Sequence, residues 1–319
     1  CIAVISSLTL QYNAISSVLY LCLFALVVLL AGGGFWVSGK YSVLATRFHV
    51  THNHCQNSDA DAVIMGGGGL VQEDAHFACH ECVFDHNTAD KGGGLMVLSR
   101  RTMVEINSSS FVLNHALVGG AVAQERAGSS TYTSCIFFGN SVTSSGGAMH
   151  SMSSGQLIFS QCTFYNCSAT GELSFGGTLT VDEGRVLITN SSIRESSAGY
   201  GGGVYTTDTL LVLEHSNLTD CQAHRQGGGV EVTSFSRLFT RHVVLKSCSA
   251  LQSGGGVFAS ATCTVDTFDT KFENLTSHAN GGALYLEYNS ILTTKSSTFE
   301  FNSAGKASGY YLDIYHYVY

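Results

Sequence analysis

Short runs of alternating or β-branched residues recur along the chain, and each follows a run of two or more glycines. Val204–Thr207 and Val230–Thr233 are examples; this pattern predicts short β-strands, with the glycines in turns. The residues directly after nine such glycine runs are separated by 25, 26, 27, 30, 26, 26, 27 and 26 positions. A period in this range predicts stacked supersecondary units. These residues are Leu70, Leu95, Ala121, Ala148, Thr178, Val204, Val230, Val257 and Ala283.

A second element keeps the same phase: an apolar residue stands three positions before an Asn, Cys or Ser. We expect the apolar side chains to form ladders in a narrow core and the Asn side chains to pair between neighbouring units. The pairs are Phe84 and Asn87, Phe111 and Asn114, Phe137 and Asn140, Phe299 and Asn302, Phe164 and Cys167, Ile193 and Ser196, Leu218 and Cys221, and Leu245 and Cys248.

A unit of about 26 residues is too short for a βαβ crossover, but it suits one coil of three short strands and three turns. Strands of successive coils then stack in parallel, about 4.8 Å apart. The pattern therefore predicts an all-β solenoid of about ten coils over residues 32–319. Residues 1–31 are expected to form an N-terminal coil with a hydrophobic insertion, since Leu10 and Asn13 fit the repeat phase.

The glycine runs Gly119-Gly120-Ala121-Val122, Gly146-Gly147-Ala148-Met149 and Gly281-Gly282-Ala283-Leu284, with the Phe-x-x-Asn elements, resemble the repeats of chlamydial polymorphic outer-membrane proteins. The resemblance covers about residues 32–310. It implies a right-handed parallel β-helix and a secreted adhesin. That family exports its rod through a C-terminal barrel, and no barrel-like tail follows here. Three other glycine runs in this chain, which end at Gly203, Gly229 and Gly256, are Gly-Gly-Gly-Val.

The amino-acid composition indicates which kinds of partner the protein is not expected to bind. The 319 residues are 45% hydrophobic and only 12% charged, and the net charge is −8. Disorder is not expected from such a composition. The sequence shows no basic cluster, so nucleic acid is not an expected partner. The 14 apolar residues from Val18 to Ala31 leave a second interpretation open, in which residues 15–31 contact a membrane as an anchor or retained signal segment.

Three cysteine pairs lie 27 residues apart, about one repeat. If each pair stacks between adjacent coils, its Cα atoms come within disulfide range. Bridges would indicate an oxidising compartment, whereas free cysteines would fill interior ladders as small apolar residues. The pairs are Cys55 and Cys82, Cys135 and Cys162, and Cys221 and Cys248. The Cys79-His80-Glu81-Cys82 motif has no second matching pair, so a metal or redox role is not expected there.

Five Asn-x-Ser/Thr sequons occur in the chain. In a secreted eukaryotic protein the better glycosylation candidates are Asn107, Asn190, Asn217 and Asn274, because Asn166 stands beside a core cysteine position.

Parallel β-helices include enzymes that cleave acidic polysaccharides, and such chemistry needs carboxylates on one face. Asp182 and Asp208 each stand five residues after a glycine turn, so we expect them to stack on adjacent coils, with Glu183 and Arg185 nearby. The column has no further members, and no cofactor or metal motif is present.

The sequence therefore favours a non-enzymatic extracellular or cell-surface module for structure or adhesion, within a longer rod, filament or larger assembly. Its expected partners are other protein subunits or copies of itself at open β-helix ends, with carbohydrate as a further candidate. The alternating strand-like run Tyr310–Tyr319 favours such an end contact. A polysaccharide lyase or glycoside hydrolase is the first alternative, and a membrane-anchored complex subunit is the second.

Overall fold

The computed structural model describes residues 2–6, 9–11, 34–40, 42–55, 63, 65–307 and 309–312. It is a right-handed parallel β-helix of about nine turns, one fewer than the repeat count predicts. No helix occurs among the described residues. Every strand pairing within them is parallel and joins one coil to the next, so the chain rises by one strand spacing per turn.

Each coil contributes up to four strands rather than the three that the repeat length predicts. Row 1 follows the glycines, row 2 and row 3 come next along the chain, and row 4 closes the coil before the next glycine turn. Rows 1 and 2 belong to one 20-stranded sheet because two long strands, Leu179–Thr189 and Val204–Glu214, run through both.

The strands of rows 1 and 2 carry most of the core. Row 1 also contains Phe35–Ser38, Gly69–Gln72, Leu95–Leu98, Val122–Glu125, Met149–Met152, Val230–Thr233, Val257–Ala259, Leu284–Leu286 and Tyr310–Leu312. Row 2 also contains Ile2–Ser6, Ser42–Thr46, His76–His80, Met103–Asn107, Ser129–Thr133, Gln156–Ser160, Arg237–Arg241, Thr264–Phe268 and Ile291–Lys295.

Rows 3 and 4 are built from shorter strands. Row 3 contains Thr9–Gln11, His49–Thr51, Val83–Asp85, Ser110–Val112, Ile136–Phe138, Thr163–Tyr165, Ser192–Arg194, Asn217–Thr219, Val244–Lys246, Lys271–Glu273 and Thr298–Glu300. Row 4 contains His115–Val118, Ser141–Ser145, Ser168–Ala169, Ser197–Ala198, Gln222–Ala223, Ser249–Ala250 and Thr276–Ser277. Leu10 pairs with Val50, which confirms the predicted phase for this residue, whereas Asn13 lies outside the described residues.

The predicted apolar ladder forms the centre of row 3. Phe111 stacks on Phe84 with ring centroids 4.6 Å apart and on Phe137 at 4.9 Å, and Phe137 stacks on Phe164 at 4.7 Å. All four side chains are almost completely buried. Identical residues at identical register positions therefore pack as offset, nearly parallel rings, an arrangement that aromatic pairs favour.

The corner asparagines form the predicted second ladder. Asn53, Asn87, Asn114 and Asn140 are buried, and each of the first three donates its side-chain amide to Oδ1 of the next at 2.9–3.0 Å. The same Oδ1 atoms accept the backbone N–H of the preceding member. Each corner thus satisfies buried backbone groups that a tight turn would otherwise leave without partners.

Most corners turn at non-glycine residues, which the sequence pattern did not predict. The described chain has 33 non-glycine residues with positive φ, and many of them directly precede a buried Asn, Ser, Thr or Cys. His86 at φ 51° precedes Asn87, and Ser108 at φ 49° precedes Ser109. The left-handed residue bends the chain from one row to the next, and the next side chain points inward.

The glycine runs occupy the corner between rows 4 and 1. The first glycine has positive φ in nine runs, from Gly66 at 68° to Gly281 at 62°. The third position is glycine in some coils, but Ala121, Ala148, Thr178 and Ala283 occupy it in others. The conformational need for glycine therefore lies at the first position of each run.

Candidate functional site

The two acidic residues that the sequence offered for catalysis are not stacked on each other. Asp182 pairs in register with Thr207, and the register continues from Gly184 to Thr209, which places Asp208 level with Glu183. The prediction of an Asp182–Asp208 pair was wrong because it aligned the two coils on the last glycine of each run, Gly177 and Gly203. Thr178 occupies the third glycine position, so Leu179 pairs with Val204 and the count shifts by one residue.

The three carboxylates nevertheless lie near one another at the corner between rows 1 and 2. Burial and then the neighbouring charges of Glu183 and Asp208 raise the pKa of Asp182. Glu183 is exposed and accepts a hydrogen bond from Ser153 Oγ at 2.9 Å. Asp208 is also exposed. Two of the three carboxylates at this acidic corner are therefore open to solvent.

A shallow surface depression of about 460 Å³ lies beside this corner. It is lined by Ser154, Gly155, Gln156, Gly184 and Arg185. Arg185 is its one ionisable side chain, and none of the carboxylates lines it. A lyase site would need carboxylates and a base converging on one substrate position, and the lining of this depression supplies only the cation.

A second carboxyl with a perturbed pKa lies on the outer face of row 1. Glu231 is only 4% exposed, and it stacks between Tyr205 and Phe258 of the adjacent coils. Burial raises its pKa well above the ordinary value of 4.5. Burial and the Glu231 charge also raise the pKa of Tyr205. Because Glu231 is covered, it is a buried structural acid in this conformation rather than a group that can reach a substrate.

For two of the three predicted cysteine bridges, the two cysteines lie on adjacent coils as predicted, but no disulfide joins them. Cys135 and Cys162 are free and buried, as are Cys221 and Cys248. Their sulfur atoms lie 3.3–4.0 Å from carbonyl oxygens of the preceding coil. These cysteines occupy the inward-facing corner positions that Ser109, Ser191 or Asn114 occupy in other coils.

The third predicted bridge, Cys55–Cys82, is wrong. Cys82 is bonded to Cys79, whose Cα lies 6.1 Å away, so it is not bonded to Cys55. The register between the coils that hold Cys55 and Cys82 is offset by 34 residues, as Thr51 pairs with Asp85. Two residues 27 positions apart therefore lie on different corners at this point of the chain.

All five sequon asparagines are exposed, including Asn166. The reason for setting Asn166 aside was wrong, because it occupies a left-handed corner position at φ 53° and points outward while Cys167 points inward. Asn107, Asn190, Asn217 and Asn274 are exposed as expected. Glycosylation at these positions stays a prediction.

A histidine and aspartate cluster, which the sequence did not indicate, lies at the corner between rows 3 and 4. His52 and His86 stack with their ring centroids 4.9 Å apart and their planes within 4°. His86 Nδ1 lies 2.7 Å from Asp85 Oδ1. Within the described residues these are the one group of three His, Cys, Asp or Glu side chains whose ligand atoms all lie within 4.8 Å of one another.

The family comparison bears on the central coils. Residues 119–269 match the family model of the right handed beta helix region. The matched stretch includes the Phe137–Phe164 stack, the acidic corner and both free thiol pairs. The curated proteins contain no match to the chain, and neither do the solved structures. The match and the parallel rows agree on a β-helix.

In the β-helix as described, no helix has the length and apolar character to cross a membrane. The hydrophobic segment 15–31, for which the sequence left a membrane contact open, lies outside the described residues, as does the part of the C-terminal tyrosine run after Leu312.

Proposed function

We propose that this β-helix is a non-enzymatic structural or adhesion module of an extracellular or cell-surface assembly. The observation that carries the proposal is the unbroken register of the rod. From residue 65 to residue 307, rows 1, 2 and 3 continue from coil to coil, and the longest glycine-to-glycine repeat is 30 residues. Solenoids of this kind offer an extended surface, and a cleft requires insertions that wall it.

The placement of the acidic groups supports the same proposal. Asp182 and Asp208 lie at different register positions, and Glu231 is buried between Tyr205 and Phe258 of the adjacent coils. A catalytic carboxylate pair needs both groups accessible on one substrate face. The resemblance of the glycine and Phe-x-x-Asn elements to chlamydial surface repeats supports the location, as do the exposed sequons and the Cys79–Cys82 bridge. Partners of such a module are protein subunits, further copies or carbohydrate.

The location is tested on intact cells of the source organism. A membrane-impermeant amine reagent labels exposed lysines such as Lys246, which is 49% exposed. We expect labelling of the chain in intact cells, while a cytosolic control protein in the same sample stays unlabelled. Labelling that occurs only after lysis would refute the surface location.

A polysaccharide lyase or hydrolase is the second candidate, and one observation favours it. Asp182 carries a raised pKa and has Glu183 and Asp208 beside it, as general acids often have. The two candidates differ in turnover, because an adhesion module binds a polysaccharide without releasing products.

A further inference from the structure

We propose that His52, Asp85 and His86 form a binding site for a divalent metal ion of the zinc class. The proposal does not depend on the surface role. It rests on three side chains from two adjacent coils whose ligand atoms converge within 4.8 Å at an exposed corner. Two imidazoles and one carboxylate are a ligand set that Zn²⁺, Co²⁺ and Ni²⁺ accept, with the remaining positions open to water.

The backbone fixes the positions from which these ligands project. His52 and His86 occupy equivalent left-handed corner positions at φ 56° and 51°, each directly before a ladder asparagine. The His52 N–H donates to the Asp85 carbonyl at 2.8 Å, and the Asn53 amide donates to Asn87 Oδ1 at 2.9 Å. The Cα atoms of the histidines are therefore held one strand spacing apart without the metal.

The side chains that complete the site are free to adjust. His52 and His86 are exposed and Asp85 is partly exposed, so small rotations about χ1 and χ2 can bring their ligand atoms to the shorter separations around one ion. Asp85 already lies 2.7 Å from His86 Nδ1 and supplies the negative charge that a divalent cation requires. The ion would join two coils of the folded chain, a site absent from the unfolded chain.

A second histidine stack supplies a matched control. His215 and His242 stack at 4.7 Å, and His242 Nδ1 lies 3.4 Å from Asp269 Oδ2. Here the three residues come from three successive coils, which separates the backbones of His215 and Asp269 by about two strand spacings of 4.8 Å. Their ligand atoms do not all lie within 4.8 Å of one another, as those of His52, Asp85 and His86 do.

The test uses the full chain in a buffer free of chelators and thiols. Titration calorimetry with Zn²⁺ should show one ion per chain, and Zn²⁺ should raise the thermal midpoint because it binds the folded state. Ca²⁺ and Mg²⁺, which prefer oxygen ligands, should do neither.

The substitutions His52→Asn and His86→Asn suit the left-handed positions, since Asn is among the residues that tolerate positive φ best. Each should weaken Zn²⁺ binding by about tenfold or more, as should Asp85→Asn. His215→Asn and His242→Asn should bind as the unaltered chain does, and circular dichroism should show the same fold in all variants.

Absence of Zn²⁺ binding by the unaltered chain would overturn the proposal. So would full binding by the His52→Asn/His86→Asn double variant, because the ion would then lie elsewhere. Loss of binding in Cys55→Ser with retention in the histidine variants would assign the ion to a thiolate and would equally overturn it. Equal stabilisation by Ca²⁺ would contradict the zinc-class assignment.

Discussion

Asn114 donates two hydrogen bonds to Asn140 across one strand spacing. The Asn114 side-chain amide and its backbone N–H both donate to Asn140 Oδ1, each at 3.0 Å. The Asn114 amide also donates to the Phe84 carbonyl of the preceding coil at 2.9 Å. One side chain therefore links its own coil to the coils on both sides, and the Phe84–Phe164 stack lies directly beside this ladder.

The first prediction follows from this contact. Asn114→Ala removes the acceptor of the Asn87 N–H and amide and the donor to the Phe84 carbonyl, all of which are buried. We expect the free energy of unfolding to fall by about 1–3 kcal/mol in urea titrations. The matched control is Asn107→Ala at an exposed strand position, with a change within about 0.5 kcal/mol. Equal losses in both variants would argue against the ladder.

The second prediction concerns the register of the glycine runs. Gly92 has φ 64°, and a Cβ there would clash with the Leu95 carbonyl oxygen. Gly94 lacks the positive φ and holds the position that Ala121 fills in the next coil, although a Cβ there would lie 2.7 Å from the Ala121 carbonyl oxygen. Gly92→Ala should cost about 1–2 kcal/mol from the left-handed backbone alone. Gly94→Ala should cost clearly less, and urea titrations of the two variants measure the difference. The reverse order would show that the third position carries the conformational need.

These glycines also show which parts of the fold could be predicted from the sequence and which could not. The 26-residue period and the Phe111 and Asn114 columns predicted parallel coils because identical side chains at one register position stack. The period gave the wrong register after Thr178, because this non-glycine residue occupies the third position of its glycine run. It failed again at Cys55, because the 34-residue offset between the adjoining coils separates residues that the repeat length would align.

The histidine cluster shows the same lesson for the candidate site. His52 and His86 are 34 residues apart, so a search at the 26-residue period does not pair them. Both directly precede a ladder asparagine, Asn53 or Asn87, and an alignment on these asparagines would have brought them together. The burial of Glu231 had no comparable signal in the sequence, because its position alternates as an outward one and the residues beside it, Tyr205 and Phe258, belong to the adjacent coils.

The third prediction concerns the cysteines. The Cys79–Cys82 bridge should appear in mass spectra of unreduced peptides, while Cys135, Cys162, Cys221 and Cys248 should carry alkylation. These four thiols are almost completely buried, so iodoacetamide should modify them only after unfolding in denaturant. Recovery of peptides linked between Cys135 and Cys162 would show that these thiols form a disulfide between adjacent coils, and it would contradict the assignment of free thiols.

The fourth prediction concerns the pH dependence of stability. Because the pKa of Glu231 is raised in the folded state, the folded chain binds its proton more tightly than the unfolded chain does. Its contribution to stability is fully present below about pH 4.5, the ordinary pKa, and is lost as the pH rises toward the raised pKa. Glu231→Gln should therefore be more stable than the unaltered chain above neutral pH, by about 1–3 kcal/mol.

The difference should shrink as the pH falls toward 4.5, and denaturation at two pH values measures it. Glu105→Gln, at an exposed row 2 position, serves as the control and should show no such trend. A Glu231→Gln variant whose advantage grows on acidification would contradict the buried, protonated carboxyl.

The most direct test of the account is turnover on acidic polysaccharides. The full chain is incubated with pectin, alginate and chondroitin, and reducing ends and unsaturated products are measured against a buffer blank. We predict no product above the blank for the unaltered chain, for Asp182→Asn or for the Glu105→Gln control. Robust release of product by the unaltered chain, abolished by Asp182→Asn and retained by Glu105→Gln, would contradict the non-enzymatic module and establish the acidic corner as a catalytic site.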